Sequence, residues 1–468
     1  MSNQYFITTS IPYVNSTPHV GHAQEFALAD ALARFHRQNN AEVILQSGTD
    51  DNAFKNVISA KEAGVETKSF VDQNAQAFHD LLGHLDVKAD YFVRTSSNDH
   101  ACGVAAFIKR LDPKDIYTDS YSGLYCQGCE DFYSSSDLVN GLCPDHQKVP
   151  DEIEEKNVFF RLSEYQETIF KLIESDRIII KPASRKKEIL NFISAGLRDI
   201  SISRSSVRSS GWGVPFPEYP DQVVYVWIDA LINYLTGPGF GRNENWQRIW
   251  NEDVYKIHVI GKNVWKFHAI YWVGLLLSAK LPLPNEIFIH GFLTNKGVKI
   301  SKSLKNGGNL LELIQKFGSD PLRFYLLSSL SFTDDSDFSE DQLLKVYNAD
   351  LANKIGNLAS RILTLRNRIS GKANKVFQNP QRPQDFLEAI RTAFEVVNRL
   401  NLEIDSSKPW ELLKQADHAQ LEKYLDQWIA ELNRISFLAA PIISKSAEKL
   451  RKYISESSLD LSPLFPRI

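Results

Sequence analysis

Methionine, cysteine and long apolar runs are all scarce in this 468-residue chain. The only methionine is Met1, and four cysteines do not make the disulfide framework of a small secreted protein. The N-terminus lacks the basic stretch and apolar run of a signal peptide, and no apolar run reaches the length of a bilayer span. These absences predict a cytoplasmic protein without a membrane segment.

The charge balance excludes few functions. The net charge of −4 is the difference between 53 basic and 57 acidic residues, so a basic face for nucleic acid is neither supported nor excluded. With 43% hydrophobic and 24% charged residues, the chain has the composition of a globular protein of two to four domains.

The first fifty residues have the pattern of a strand, a helix and a second strand. Residues 5–11 are β-branched and aromatic, a helical pattern starts at His22, and the apolar run 43–45 leads into Gly48-Thr49-Asp50-Asp51. This order predicts a parallel sheet with a right-handed crossover. Ligands of such sheets bind beyond the carboxyl ends of the strands, so we expect the HVGH and GTDD loops to face one site.

The rest of the chain predicts a doubly wound α/β domain split by a long insertion. Strand-like pieces return after a Tyr-, Ser- and Cys-rich segment, and an all-helical region follows from about residue 340. The predicted strands are 223–227, 255–260 and 286–290, with an apolar helix at 267–278. The predicted C-terminal helices are 343–370, 382–407, 412–438 and 440–455.

Three cysteines and a histidine have the spacing of a metal site. Cys126, Cys129, Cys143 and His146 form C-x2-C-x13-C-x2-H, two knuckles that can close a tetrahedral shell around Zn²⁺. All four ligands come from protein, so the ion would be structural; the alternative is chance cysteines in a loop. We expect the remaining Cys102 to be a buried apolar residue without function.

His19 and His22 allow three interpretations. No third ligand stands at suitable spacing in the first 100 residues, which weakens a metal site. A loop entering a helix N-terminus favours an anionic phosphate, and Gly21 lets a nucleotide approach the backbone. Ordinary surface or core histidines are the third interpretation, and the spacing alone leaves all three open.

A lysine-rich loop favours the phosphate interpretation. The segment LTNKGVKISKSLKN at 293–306 carries Lys299, Lys302 and Lys305 with Ser301 and Ser303, which can neutralise a triphosphate. HVGH and KISKS together resemble the two signature motifs of class I aminoacyl-tRNA synthetases. IPYVNSTPHVGHAQE, ILQSGTDD, GLYCQGCEDFY, VVYVWIDALINYL, HVIGKNVWKFHAIYW and ANKIGNLASR, in this order, are similar to the methionyl-tRNA synthetase family.

The resemblance implies a Rossmann-type doubly wound catalytic domain with a zinc-bearing insertion, followed by an α-helical anticodon-binding domain. The expected segments are 1–115 and 221–292 for the catalytic halves, 116–220 for the insertion, 293–340 for the lysine loop and stem-contact segment, and 341–468 for the helical domain. It also implies formation of methionyl-adenylate from methionine and ATP, assisted by Mg²⁺, and transfer to methionine tRNA.

Site residues are implied where this sequence matches the family's motifs. Matching the methionine-binding positions are Ile11, Tyr13, Asp50, Trp227, Ala230, Tyr234, Val264 and His268. Matching the ATP-binding positions are Asn15, His19, Gly21, His22, Glu25, Gly291, Phe292 and Lys302, and the catalytic residues would be His19, His22, Lys299 and Lys302. The anticodon would be read by Asn357, Arg361 and Trp410. Without the resemblance, Trp227 and Trp410 could equally be core or helix-start residues.

Two departures from the family pattern lie beside the predicted site. Asn52 and Ala53 stand where the family has histidine and glycine, and Asn263 replaces an aspartate expected to pair with Arg204. An arginine without that partner would present a stronger positive field to a substrate carboxylate or phosphate. These changes leave room for a divergent, inhibitor-resistant second copy. We also hypothesise that a chain almost free of methionine can be translated when charged methionine tRNA is scarce.

Several alternatives remain. A paralogue could bind tRNA without efficient chemistry, or form an adenylate for another purpose without tRNA. The retained His19, His22 and Lys302 argue against the first, and the NLASR and KPW elements against the second. The short insertion disfavours a valine, leucine or isoleucine enzyme with a large editing domain. The chain stops at Ile468, soon after the helical region and without the appended C-terminal module by which some family members dimerise, so we expect a monomer. We also expect no DNA or membrane partner.

Overall fold

The structure is a computed structural model that describes residues 3–126, 131–133, 138–144, 147–300, 309–331, 333–369, 383, 385–455 and 462–468. The strands are β1 Gln4–Thr9, β2 Glu42–Thr49, β3 Tyr91–Arg94, β4 Ile116–Cys126, β5 Asp131–Tyr133, β6 Asp151–Phe160, β7 Ile179–Lys181, β8 Ile200–Ser201, β9 Ser203–Ser205, β10 Gln222–Val224, β11 Tyr255–Gly261, β12 Glu286–His290, β13 Leu293–Asn295, β14 Val298–Lys299 and β15 Ser336–Asp337.

The α-helices are α1 Val20–Gln38, α2 Phe54–Glu62, α3 Thr67–His84, α4 Asn98–Arg110, α5 Gln166–Glu174, α6 Ala183–Ser194, α7 Val226–Thr236, α8 Trp246–Ile249, α9 Trp272–Ser278, α10 Leu310–Phe317, α11 Ser319–Phe324, α12 Glu340–Val346, α13 Asn357–Ile369, α14 Phe386–Ser407, α15 Pro409–Lys414, α16 His418–Ala439 and α17 Ser444–Ser455. Phe267–Tyr271, Tyr325–Ser329 and Tyr347–Gly356 form π-helical segments, and Pro113–Asp115 and Leu162–Tyr165 form 3₁₀ turns. Along the described part of the chain, no helix is both long and apolar enough to cross a membrane.

The chain divides into two units. The first comprises residues 1–18, 41–83 and 88–290, and the second comprises 19–40, 84–87 and 291–468. The five-segment domain division expected from the sequence stays a prediction.

A six-stranded parallel sheet forms the centre of the first unit, in the order β3-β2-β1-β11-β12-β7. Ile7 of the central strand β1 pairs with Leu45 and Ile257, and Phe6 and Ile7 are fully buried. Strands with both faces covered are expected to carry continuous apolar runs, such as residues 5–7 in β1 and 43–45 in β2. In β11, apolar residues alternate with the buried Lys256 and His258. The predicted α/β class with a parallel sheet is confirmed.

The prediction of a single strand at 223–227 is wrong. Strand β10 ends at Val224, and α7 begins at Val226, so Trp227 lies in the first turn of a helix. A short apolar run does not distinguish a buried strand from a buried helix, and here the helix continues through ten buried residues.

An antiparallel sheet, in the order β5-β4-β6-β8, follows the first half of the parallel sheet along the chain. Strand β4 pairs with β6 from Ile116 opposite Phe160 to Tyr125 opposite Asp151. Further along the chain, β7 pairs with β12 and so belongs to the parallel sheet. Residues of the expected insertion 116–220 thus contribute a strand to the parallel sheet.

The second unit contains the C-terminal helices, which confirms the predicted helical region. Arg323 is fully buried, where it contacts Asp30 at 2.7 Å and donates to the carbonyls of Pro441 and Ile442. The predicted helix 412–438 is broken, because α15 ends at Lys414 and the Asp417 side chain caps the start of α16.

Candidate active site

The turn after β2 brings Asp50 beside the segment that follows β1. The Asp50 N–H donates to the carbonyl of Pro12 at 2.9 Å, and Tyr13 forms a parallel bridge with Asp50. On the other side of β2, Gly48 allows the close approach of β3, since a Cβ there would lie 2.3 Å from the Val93 carbonyl oxygen. Asp50 is 1% exposed, and its carboxylate accepts the Asn52 backbone N–H at 3.2 Å.

Aromatic side chains from three segments gather next to this turn. The ring centroids of Tyr13 and Trp227 are 5.8 Å apart, and Trp227 stacks on Phe267 at 3.8 Å. His268 Nδ1 lies 2.9 Å from the Val264 carbonyl, which can only accept, so Nδ1 carries the proton and Nε2 accepts from the Tyr234 hydroxyl at 2.7 Å. The structure thus connects Tyr13 with Trp227 and Tyr234 with His268 and Val264. Ile11 is half-buried in the segment before Tyr13, and Ala230 is buried on α7.

Asp51 fixes the conformation of the turn from inside. Its fully buried carboxylate accepts hydrogen bonds from the Thr49 hydroxyl at 2.8 Å, from Ser96 at 2.5 Å and from Arg94 at 2.8 Å. Burial raises the pKa of Asp51, although Arg94 and the two hydroxyls act in the opposite direction. A buried carboxylate with this many donors rigidifies the loop that carries Asp50.

Sequence reasoning missed the buried Asp229, which lies on α7 between Trp227 and Ala230. One carboxylate oxygen contacts His100 Nε2 at 3.0 Å, and the other accepts from the Asn52 amide at 2.8 Å. The partners are 129 and 177 residues away, so only the folded chain brings them together. The one signal in the sequence is a carboxylate inside the apolar run VVYVWIDALINYL.

The second departure from the family, Asn263, is exposed, whereas Arg204 is buried. The Arg204 guanidinium lies 3.7 Å from the Tyr225 ring centroid and donates to the Ser201 hydroxyl and the Ser203 carbonyl at 2.9 and 2.7 Å. These contacts hold the guanidinium in place. The stronger positive field expected from Arg204 stays a prediction.

In the second unit, His19 and His22 together cap the N-terminus of α1. His19 Nδ1 accepts the Gly21 N–H at 3.1 Å, and His22 Nδ1 accepts the His19 N–H at 3.1 Å. The rings stack with centroids 3.9 Å apart, above Gly21, where a Cβ would lie 3.0 Å from the His19 ring. Because both Nδ1 atoms accept, each neutral ring carries its proton on Nε2.

The remaining predicted ATP-binding residues lie in both units. Asn15 is half-buried in the first unit, and Glu25 is buried on α1 of the second. Gly291 passes close to the Asp334 backbone, where a Cβ would lie 2.3 Å from the carbonyl carbon, and the Phe292 N–H donates to Asp335 at 2.9 Å. The expected single site for the HVGH and GTDD loops stays a prediction.

The predicted anticodon readers lie on two helices of the second unit. Asn357 is exposed at the start of α13, and Arg361 follows one turn later. The Arg361 guanidinium lies 6.0 Å from the Trp410 ring centroid and 2.5 Å from the Asp405 carboxylate. Trp410 is 42% exposed at the start of α15. The structure brings Arg361 and the partly exposed Trp410 together on the surface of the second unit.

The sequence profile of the class I tRNA synthetases (M) matches residues 5–152 and 146–363. The methionine–tRNA ligase of Thermotoga maritima is 33% identical over 97% of this chain and 75% of its own length. That of Brucella suis is 35% identical over 96% of this chain and 91% of its own length.

Among solved structures, Mycobacterium tuberculosis methionyl-tRNA synthetase in complex with methionyl-adenylate superposes with a TM-score of 0.87 at 33% identity, over 99% of both chains. The chain belongs to the methionyl-tRNA synthetase family.

Two of the four zinc ligands predicted for this member of the family are described. Cys126 ends β4 and Cys143 follows the bridge from Val139 to Leu142; both are buried. The Cys143 sulfur lies 3.7 Å from the Tyr133 hydroxyl. Cys129 and His146 lie outside the described residues, and among the residues that are described no group of three metal-ligating side chains occurs.

The lysine loop of this family member is described only at its start. Strands β13 and β14 form a hairpin with Thr294 opposite Lys299, and Ile300 is buried. The side chain of Lys299 lies outside the described residues, as do Ser301, Lys302, Ser303 and Lys305.

Cys102 is exposed, so the prediction of a buried residue is wrong. Helix α4 buries the face that carries His100, Gly103, Val104 and Phe107, and Cys102 lies on another face.

Proposed function

We propose that the chain activates methionine with ATP and esterifies methionine tRNA. In the first step a methionine carboxylate oxygen attacks the α-phosphorus, the bond to pyrophosphate breaks, and methionyl-adenylate forms. In the second step a ribose hydroxyl of the terminal adenosine attacks the acyl carbon, and AMP leaves. The observation that carries this proposal is the buried Asp50 next to the aromatic cluster of Tyr13 and Trp227, in a chain of this family.

Asp50 would take the methionine ammonium, because a buried carboxylate binds a cation strongly. The thioether would lie among Ile11, Tyr13, Trp227, Ala230, Tyr234, Val264 and His268, a lining suited to a polarisable apolar side chain. The Tyr234 hydroxyl is hydrogen-bonded to His268, and this bond fixes the positions of both rings in the lining.

The phosphates of ATP would meet His19 and His22. Both rings carry the proton on Nε2, so each is a neutral donor for an anionic oxygen at a helix N-terminus. Lys299 and Lys302 would neutralise charge that develops as pyrophosphate leaves, and Mg²⁺ bound with the nucleotide would share this role. Asn15, Gly21, Glu25, Gly291 and Phe292 would complete the nucleotide contacts. Positioning and electrostatics suffice, and no covalent enzyme intermediate is needed.

A zinc ion held by Cys126, Cys129, Cys143 and His146 would be structural. The buried thiols of Cys126 and Cys143 suit such a site, since thiolates in an enclosed shell bind Zn²⁺ tightly and leave no position for substrate. The ion would stabilise the segment that contains β4 and β5.

Asn357, Arg361 and Trp410 would bind anticodon bases. A half-exposed indole offers a stacking face, and the guanidinium and amide offer donors to base edges. We also propose that the chain acts as a monomer in the cytoplasm.

Amino-acid-dependent exchange of pyrophosphate into ATP tests this function. Purified chain is assayed with methionine, homocysteine, leucine, isoleucine and valine, and methionine should give the highest kcat/KM. Absence of exchange with every amino acid, while methionine tRNA still binds, would instead identify a tRNA-binding paralogue.

A further inference from the structure

Asp229 is the central acceptor of a buried hydrogen-bond chain in the first unit. The residue is fully buried, and each of its carboxylate oxygens takes one N–H. His100 Nε2 is 3.0 Å from Oδ1, and the Asn52 amide nitrogen is 2.8 Å from Oδ2. His100 in turn is anchored through Nδ1, which lies 2.7 Å from the Thr236 hydroxyl.

The proton positions in this chain follow from the acceptor. A carboxylate only accepts, so His100 carries a proton on Nε2, while its Nδ1 pairs with the Thr236 hydroxyl. Both amide hydrogens of Asn52 are used, one by Asp229 and one by the Thr95 carbonyl at 2.9 Å. The side chain of Asn52 is therefore held by two hydrogen bonds from its amide nitrogen.

Fixing Asn52 also fixes Asp50. The backbone N–H of Asn52 is shared between the Asp50 carboxylate and the Thr95 hydroxyl, at 3.2 Å each. The direction of this N–H depends on the peptide plane of Asn52, and the side chain anchored on Asp229 holds that plane. A contiguous set of short contacts thus runs from α7 to the carboxylate proposed to bind the substrate ammonium.

We propose that Asp229 is a positioning residue for methionine binding, acting through Asn52 on Asp50. This inference rests on the proposed function, because it assigns Asp50 to the ammonium of methionine. Asp229 does not touch the substrate. Its role is to keep the acceptor geometry of Asp50 assembled before methionine arrives, so its loss weakens amino-acid binding and spares ATP binding.

The departure at position 52 fits this role. An asparagine is short, yet it offers two hydrogens in one plane, which reach Asp229 and Thr95 together. An imidazole at this position retains one ring N–H for Asp229, whereas alanine retains none. The connection between position 52 and Asp229 should therefore be strongest with asparagine, weaker with histidine and lost with alanine.

Asp229→Asn tests the proposal with little change in shape. The replacing amide offers one acceptor where the carboxylate offers two, so either His100 or Asn52 loses its acceptor. We expect the KM for methionine in pyrophosphate exchange to rise about tenfold, with the KM for ATP within about twofold of its original value. Asp115→Asn is the matched control, because Asp115 is equally buried in the same unit but binds Tyr165 and Ser278 instead. The control should lower the thermal midpoint without a selective change in KM for methionine.

Asn52 variants show whether the effect passes through this residue. Asn52→Ala should match Asp229→Asn, Asn52→His should stay within about threefold of the unsubstituted chain, and the double variant Asn52→Ala/Asp229→Asn should be no worse than either single change. Equal rises in both KM values, an unchanged KM for methionine, or additive effects in the double variant would overturn the inference. If the unsubstituted chain gives no methionine-dependent exchange, the proposed function fails and this inference with it.

Discussion

His258 is a buried titratable residue directly beneath the proposed methionine lining. Its Nδ1 lies 2.7 Å from the Thr8 hydroxyl, and its ring centroid lies 4.2 Å from that of Tyr234. Burial lowers the pKa of His258 well below 6.5, and the nearby His268 and Lys256 act in the same direction. The imidazole is therefore neutral in the folded chain near pH 7.

The depressed pKa of His258 predicts an acid-side loss of stability. Below about pH 6.5 the unfolded chain binds a proton on this residue and the folded chain does not, so stability rises with pH in that window, by up to about 1.4 kcal/mol per pH unit. We expect His258→Gln to narrow the difference between thermal midpoints at pH 7.5 and pH 5.5. His79→Gln is the control, since the His79 side chain is 58% exposed. An unchanged difference in the His258 variant would contradict the assignment.

At the scale of an element, the start of α1 combines capping with a proposed chemical role, and one pair of variants separates the two. Asn is a good capping residue, so His19→Asn should keep the thermal midpoint while removing the ring Nε2 donor. We expect kcat of pyrophosphate exchange to fall about 10²–10³-fold. His19→Ala should show the same kinetic loss and in addition cost about 1 kcal/mol of stability. Kinetics of His19→Asn close to the original would show that His19 only caps the helix.

Helices and strands with a clear hydrophobic period were predictable from the sequence. The contacts between side chains far apart in the sequence were not. The strand at 286–290 matches β12, because a β-branched run between turn residues has few other solutions. The sequence predicts Trp227 in a strand and the structure has it in α7, because local sequence does not show that a short buried run is helical. Asp229 and His100 were not predicted as site residues. A buried carboxylate is informative only once its partner is known, and that partner is far along the chain.

For the molecule as a whole, metal content is the first measurable consequence. Purified chain should contain about one zinc ion, and Cys143→Ser should lose it and lower the thermal midpoint. Cys102→Ser is the matched control, because Cys102 is exposed and outside the predicted ligand set. Zinc retained in the Cys143 variant would disprove the ligand assignment.

The scarcity of methionine also belongs to this scale. Met1 is the only methionine among 468 residues. If this composition allows synthesis when charged methionine tRNA is scarce, replacing several leucines by methionine should lower expression under methionine limitation and leave it unchanged in rich medium. Exposed Leu311 and Leu402 are suitable positions, because substitution there disturbs no core. Equal expression of the unsubstituted chain and the methionine-containing variant under methionine limitation would contradict the hypothesis.

Charging of methionine tRNA tests the central claim most directly. The purified chain is incubated with ATP, labelled methionine and a methionine tRNA transcript, and with a transcript whose anticodon is replaced. The account predicts methionyl-tRNA on the first transcript and a loss of charging of several orders of magnitude on the second. Methionine-dependent pyrophosphate exchange without any charging of the first transcript would contradict it.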